Sequence, residues 1–454
     1  MRVGNRWLVI ALALGCAAAG LAVDSSAAES RATGKVAAER EAPAGIDVVT
    51  AAQYLREFDR LCRKDGGRLW GVSLCGPMLF VDPVTRAVVA NQADAAGRLL
   101  SRARVFVGAL PPDVGIANTS MEWGGTRWTM IMWGALDEDH TGRLRLMAHE
   151  AFHRIQPGLH LDPAGELNAH LDTADGRFWL QEEWNALQAA LLAKGSARRE
   201  AVADALTFRA ARRAQFAGAA QRENVLEIFE GLAEYTGMDL AGFSRQQVVD
   251  PIVDQRGHAR GFVRSFAYIS GPLYGYLLDV TGAAWRKDLT SDTDLGALLG
   301  LFVQVTPGPT GEALRRVELY GGAALRAAED EREVKRLARL AAWRASLVDG
   351  PLLVLDLGLV TSGSFDPRAV YPFGDKQTVY GTRELIAAWG TLTVTDGAIL
   401  EDGNTKEAHV SLDGAAADGL SGKGWSLKLN DGWEVAPGER AWDRVVRRKD
   451  RSQT

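Results

Sequence analysis

The chain has 454 residues, of which 47% are hydrophobic and 24% are charged, and its formal net charge at pH 7 is −5. This composition fits a folded protein of two or three domains and excludes a chain that is disordered throughout. The acidic net charge and the lack of a basic block argue against a nucleic-acid partner.

The first 28 residues have the features of an export signal. Two arginines precede an apolar run at 7–14, and Ser26-Ala27-Ala28 provides small residues for cleavage. We therefore expect a secreted or periplasmic protein. The apolar run is too short and too rich in Ala and Gly for a membrane span, so no integral span is expected after signal cleavage. Cys16 offers lipid anchoring as the minority alternative.

Ordered structure is expected to begin near residue 46. Residues 29–45 are small, polar and charged, and we expect a flexible spacer there. Apolar residues at helical spacing predict a helix over 46–64. In an exported protein, Cys62 and Cys75 are expected to form a disulfide that joins the end of this helix to a following strand.

The next region is rich in residues that favour strands. Gly124-Gly125 and the turn at 82–85 separate extended segments in the manner of hairpins. The sequence predicts strands at 69–81, 87–90, 105–108, 119–123 and 126–133. We expect them to form a mixed sheet.

From Gly142 the pattern becomes helical, and after Gly350 it returns to short strands. Predicted helices cover 143–156, 177–194, 197–219, 223–237 and 260–280, with one or two more in 312–346. Predicted strands cover 352–357, 378–380, 391–394, 408–412 and 425–433. The class is therefore α+β, with one domain at 46–346 and a β-rich C-terminal domain at 347–454.

One motif carries chemistry: His149-Glu150-Ala151-Phe152-His153, an HExxH sequence. Residues four apart on a helix lie about 40° apart, so His149 and His153 can bind one metal ion from the same side. Glu150 lies about 100° from His149, where it can take a proton from a zinc-bound water as a general base. The apolar residues of this segment share the opposite side, so the helix can pack on a core.

Catalytic zinc usually has a third protein ligand, and the sequence offers several candidates. His160 misses the metzincin spacing by one residue. Glu183 lies on the half-buried side of its helix, where a carboxylate needs a metal or a cation as partner. Glu230 is the third candidate, although Glu223, Glu227, Glu230 and Glu234 share one helix face, which is also typical of a solvated surface.

The string Glu230-Gly231-Leu232-Ala233-Glu234-Tyr235 resembles the third-ligand helix of the gluzincins, zinc metallopeptidases that include the aminopeptidase N and thermolysin types. The resemblance covers this string, HExxH and the strand before it. It implies that Glu230 is the third zinc ligand, that 46–346 has a zincin-like fold, and that the substrate is a peptide or protein. Phe229 replaces the usual Asn before the ligand.

The resemblance also implies a side chain that stabilises the oxyanion formed during hydrolysis. Tyr268 is the first candidate, followed by Tyr274 and His258. Each of these aromatic residues would otherwise serve only in packing.

Two other functions stay open at this point. A zincin-fold binding or scaffold protein of the cell envelope, with weak or no catalysis, would fit the replaced Asn and the additional β-rich domain. A weaker hypothesis assigns carbohydrate binding to Trp389, Trp425 and Trp433, which are more often core residues of a small β-domain.

Overall fold

The computed structural model of the protein describes residues 45–161, 167–257 and 261–449. The expected export signal, nearly all of the spacer, Cys16 and His258 lie outside these ranges. The described chain combines an N-terminal sheet, a helical region and a β-rich C-terminal part, which confirms a mixed α+β architecture.

The first helix and the first sheet form one layer each. Helix α1 (Val48–Asp65) packs on a six-stranded sheet in the order β3-β4-β2-β1-β6-β5. Its strands are β1 (Met78–Val81), β2 (Ala87–Ala90), β3 (Leu100–Arg102), β4 (Val105–Ala109), β5 (Thr119–Trp123) and β6 (Thr126–Met132). The pairing of β1 with β6 is parallel and the other pairings are antiparallel, so the sheet is mixed, as expected.

The hairpin of β5 and β6 forms where the sequence predicts it. Gly124 and Gly125 have φ values of 58° and 71°, and a two-residue turn of this kind needs positive φ at both positions. Strand β5 therefore lies at one edge of the sheet.

The segment before β1 differs from the prediction. Residues 69–77 are not a strand, because Gly67 and Gly71 have left-handed φ values and turn the chain repeatedly. The predicted disulfide between Cys62 and Cys75 is confirmed, and it ties this irregular segment to the end of α1.

The helical region contains every helix predicted between 143 and 280, with shifted ends. The helices are α2 (His140–Ile155), α3 (Ala174–Leu192), α4 (Gly195–Arg213), α5 (Ala219–Leu226), α6 (Leu232–Ala241), α7 (Arg245–Gly257), α8 (Ala267–Val280), α9 (Leu295–Val303), α10 (Thr310–Arg316) and α11 (Gly322–Arg344). A π-helical turn, Glu227–Gly231, joins α5 to α6 in one continuous helix. No helix in the described ranges is long and apolar enough to cross a membrane.

Helix α2 begins three residues before its predicted start because Asp139 caps it, accepting a hydrogen bond from the Gly142 backbone N–H at 2.7 Å. Its predicted apolar side is buried in the main core, which includes Met147, Ala151 and Phe152. Helix α2 packs against β5 and β6 on one side and α6 on another.

The C-terminal part contains two sheets. Its strands are β7 (Leu352–Asp356), β8 (Val360–Phe365), β9 (Val370–Gly374), β10 (Gln377–Tyr380), β11 (Arg383–Ala387), β12 (Gly390–Val394), β13 (Ile399–Asp402), β14 (Glu407–Ser411), β15 (Ser421–Gly422), β16 (Trp425–Leu429), β17 (Trp433–Pro437) and β18 (Arg444–Arg448). The orders are β17-β18-β7-β14-β13-β10-β9 and β15-β16-β12-β11-β8.

Two predictions for this part are wrong. The strand predicted at 425–433 is two strands, separated by a turn that the sequence also predicts at Asn430-Asp431-Gly432, where Gly432 has a φ of 83°. Trp389 and Trp425 are buried in the core between the sheets, where each indole N–H donates to a backbone carbonyl. They cannot form a sugar-stacking platform with Trp433.

Candidate metal centre

Three side chains converge at the centre of the helical region. His149 and His153 each offer a ring nitrogen and Glu230 a carboxylate oxygen, and these atoms lie within 4.8 Å of one another. The two Nε2 atoms are 3.1 Å apart, and Glu230 Oε2 is 3.7 Å from Nε2 of His149 and 3.5 Å from Nε2 of His153. This group could hold a metal ion.

The helix that carries Glu230 can reach α2 and α8 because it has glycines at both contacts. A Cβ on Gly231 would lie 2.9 Å from the Ala267 carbonyl oxygen at the start of α8, and a Cβ on Gly237 would lie 2.5 Å from the Arg145 carbonyl oxygen in α2. Glu230 lies within the π-helical turn, a distortion that is frequent at functional sites. Backbone contact on two sides therefore places Glu230 opposite the histidines.

Glu234 fixes the ring of His149. Its Oε2 lies 2.9 Å from His149 Nδ1, and its Oε1 accepts a hydrogen bond from Arg145. An ionised carboxylate only accepts hydrogen bonds, so Nδ1 of His149 carries a proton and Nε2 is the ring nitrogen that faces Glu230, where a metal ion would take the place of a second proton.

Gln156 fixes the ring of His153 in the same way. Its Nε2 donates to the Phe229 carbonyl oxygen at 3.0 Å, which orients its Oε1 towards His153 Nδ1 at 2.6 Å. The proton of His153 is therefore on Nδ1, and Nε2 is available to a metal. The ring of Phe229 packs against His153 at 4.5 Å between centroids, in the position where the gluzincin pattern has Asn.

Glu230 is held by two further side chains. Arg264 Nη2 donates to its Oε1 at 3.1 Å, and the Tyr268 hydroxyl donates to its Oε2 at 2.7 Å. The Tyr268 ring also stacks on His149 at 5.7 Å between centroids. The structure therefore brings the predicted Tyr268 to the same group as the three candidate ligands.

Glu150 differs from the other residues of this group because its side chain has no hydrogen-bond partner among the described residues. Its side chain is fully buried, and neither carboxylate oxygen has a hydrogen-bond partner among the described residues. Burial raises its pKa, against the opposing effect of His149 and His153. Burying a carboxylate without a partner costs free energy. The two oxygens of Glu150 are therefore expected to interact with a ligand or a reactant.

The other acidic groups of the site are stabilised as anions. Burial alone would raise the pKa of Glu230, but His149, His153 and Arg264 hold it well below its usual range. Burial would lower the pKa of His149, yet Glu230 and Glu234 raise it to about 10. These contacts keep Glu230 ionised, which is the form of a carboxylate that binds a metal ion.

The surface alternative for the acidic helix face is wrong. Glu223, Glu227, Glu230 and Glu234 are all buried, because neighbouring helices and the turn before α8 supply a cation to each of them. The main partners are Arg212 for Glu223, Arg209 for Glu227, Arg264 for Glu230 and Arg145 for Glu234.

The other candidate ligands lie elsewhere. Glu183 accepts hydrogen bonds from Arg209, Arg212 and the hydroxyl of Tyr274, so it has cations as partners and Tyr274 is also excluded from the centre. His160 is exposed beyond the end of α2 and is not part of the group.

The sequence does not predict that Arg264, Gln156 and Arg145 contact the candidate ligands or their partners. Only Glu234 had a signal in the sequence, one turn after Glu230 on the same face.

Comparison of the chain with protein-family models, curated proteins and solved structures finds no match.

Proposed function

We propose that the chain is a zinc-dependent peptidase with a zincin-like catalytic domain, related in its chemistry to the gluzincins. The observation that carries the proposal is the unpartnered Glu150 carboxylate directly beside the His149, His153 and Glu230 group. A purely structural cluster of ion pairs does not explain a fully buried carboxylate without a partner.

The donor set fits zinc. Two imidazole nitrogens and one carboxylate oxygen are ligands that catalytic zinc sites use, with a fourth position left for water or substrate. Ligands at about 2.1 Å from a tetrahedral ion are about 3.4 Å apart. The three separations here are 3.1, 3.5 and 3.7 Å, so small adjustments of the side chains would complete the site.

Glu150 is the general base in this proposal. Bound zinc would lower the pKa of a coordinated water and polarise the scissile carbonyl. Glu150 takes the proton as water attacks the carbonyl carbon and then passes it to the nitrogen of the leaving amine. Its burial favours this role, because a carboxylate with a raised pKa is a stronger base towards the proton of the water.

Tyr268 is the donor to the oxyanion. Burial and the adjacent Glu230 raise its pKa well above the usual value, so its hydroxyl stays protonated. That hydroxyl donates to Glu230 Oε2 at 2.7 Å, beside the group that would hold the metal ion. A rotation of the O–H bond towards the developing negative charge would stabilise the tetrahedral intermediate.

Strand β5 supports a peptide substrate. It packs beside α2 and pairs only with β6 among the described strands, so its other edge has free backbone donors and acceptors. An extended peptide can pair with such an edge by strand addition. A secreted or periplasmic location remains part of the proposal, and the Cys62–Cys75 disulfide supports an oxidising compartment.

Zinc content and turnover test the proposal together. Purified wild-type protein is expected to contain about one zinc ion per chain by elemental analysis and to cleave members of a peptide library. Glu150→Gln should retain zinc and lose cleavage, whereas Glu230→Gln should lose zinc. Exposed Glu331→Gln is the control and should change neither. Zinc retention without cleavage by the wild type would favour the scaffold alternative. Protein without metal, or cleavage that survives both a chelator and Glu150→Gln, would refute the proposal.

A further inference from the structure

A cavity of about 490 Å³ lies where the N-terminal sheet meets the C-terminal part. One wall comes from the turn after β1 and the end of β6, and the other comes from β8, β11 and β12. Its lining includes Pro83, Met132, Phe365, Arg383, Glu384 and Val394. Most of this lining is apolar.

The cavity is close to the candidate metal centre. The guanidinium group of Arg264 lies over the ring of Phe365, at 5.7 Å from its centroid, and donates to Glu230 on the other side. Two side chains therefore connect the cavity wall to a candidate ligand.

The cavity also lies near the start of β5. The backbone N–H of Met132, which lines the cavity, donates to Asn118 Oδ1 directly before β5 at 2.8 Å. The preceding Gly115 packs against Ser362 of β8, since an added Cβ would lie 2.4 Å from the serine Oγ. A peptide paired with β5 would thus end beside the cavity.

Glu384 is the one carboxylate of the lining without a partner. The other, Asp366, accepts hydrogen bonds from Arg368, whereas Glu384 forms no ion pair or side-chain hydrogen bond within the described ranges. The two arginines that act on Glu384 electrostatically, Arg383 of the same lining and Arg86, have other partners. Arg383 donates to Glu401 at 2.6 Å, and Arg86 donates to backbone carbonyls that include those of Leu110 and Pro111.

The carboxylate of Glu384 is also partly buried. Desolvation raises the pKa of Glu384 and outweighs the opposing effect of Arg383 and Arg86. A cation placed in the cavity would restore the stabilisation that this carboxylate lacks.

We propose that this cavity is the specificity subsite of the peptidase and receives a lysine or arginine side chain of the peptide. Met132, Phe365 and Val394 contact the aliphatic stem, and Glu384 binds the cationic head. The inference rests on the proposed function, and it gives the C-terminal part a role in substrate selection.

Direct binding tests the subsite without any need for catalysis. The full chain is titrated with Nα-acetyl-arginine amide and with the uncharged Nα-acetyl-norleucine amide. We expect the arginine amide to bind at least tenfold more tightly to wild type, and Glu384→Gln to remove most of this difference. Exposed Glu439→Gln in the same part of the chain is the matched control and should leave it unchanged. Equal affinity of wild type for both probes would overturn the subsite.

Cleavage provides the second measurement. In a peptide library, wild type should favour a basic residue over norleucine at one position by about tenfold in kcat/KM, and Glu384→Gln should bring this ratio close to one. Glu384→Arg should favour an acidic residue there, which guards against a variant that only misfolds. Cleavage without a basic preference would overturn the subsite and leave the peptidase proposal standing. Probe binding that depends on Glu384, without any cleavage, would overturn the peptidase and keep the cation site.

Discussion

The substitution Glu183→Gln tests whether Glu183 is a structural carboxylate or a metal ligand. Glu183 is fully buried and accepts hydrogen bonds from Arg209 Nη1 at 3.0 Å, Arg212 Nη1 at 2.5 Å and the Tyr274 hydroxyl at 2.7 Å. Glutamine keeps one acceptor oxygen but removes the charge and turns an N–H₂ group towards these donors. Breaking a buried ion pair from one side costs about 3–5 kcal/mol, and we expect a loss of this size in the free energy of unfolding.

Urea unfolding, followed by circular dichroism and tryptophan fluorescence, measures this loss, and elemental analysis of the same preparations measures zinc. Glu183→Gln should be destabilised while it keeps about one zinc ion per chain. Glu331→Gln, on the exposed face of α11, should match wild type in both measurements. A Glu183→Gln protein that has wild-type stability but no zinc would refute this assignment and make Glu183 the ligand.

Three further outcomes follow from the same contacts. Glu234→Gln should weaken zinc binding about tenfold in a chelator competition, because an amide oxygen orients His149 without adding charge; unchanged affinity would contradict that role. Gly231→Ala should lower the stability by about 1–3 kcal/mol, measured by calorimetry, since its Cβ would overlap the start of α8. Burial would raise the pKa of Asp294, but Arg209 and Arg213 lower it from 3.8 to about 2. Its stabilisation, about 2 kcal/mol, is therefore present above pH 3.8 and lost as the pH falls towards 2. Asp294→Asn, which retains the helix cap, should show a smaller loss of stability over this pH range.

Helical periodicity was sufficient to predict the pairing of His149 with His153 and the buried side of α2. The pairing of the two histidines depends on one segment only, because their spacing of four residues determines it. Glu230 was predicted from the resemblance of a short string, and the structure places its carboxylate within 4.8 Å of ring nitrogens of both histidines.

The surroundings of these residues could not be predicted in the same way. Periodicity shows which residues share a helix face, but it does not show what packs against that face. The acidic face of α5 and α6 has the pattern of a solvated surface, and only the arginines of other helices, distant in sequence, make its burial possible. Arg264 and Glu384 have no local signal at all, since their roles depend on contacts with distant segments.

The four buried glutamates of that face have a consequence for the position of Glu230. Each is matched to a cation on a different part of the helical region, from Arg212 at one end to Arg145 at the other. Sliding the helix along its axis by a single turn would separate all four pairs at once and leave buried charges uncompensated. The axial register of the candidate ligand is therefore set by the charges around it, and the ion it would bind meets a geometry that is already in place.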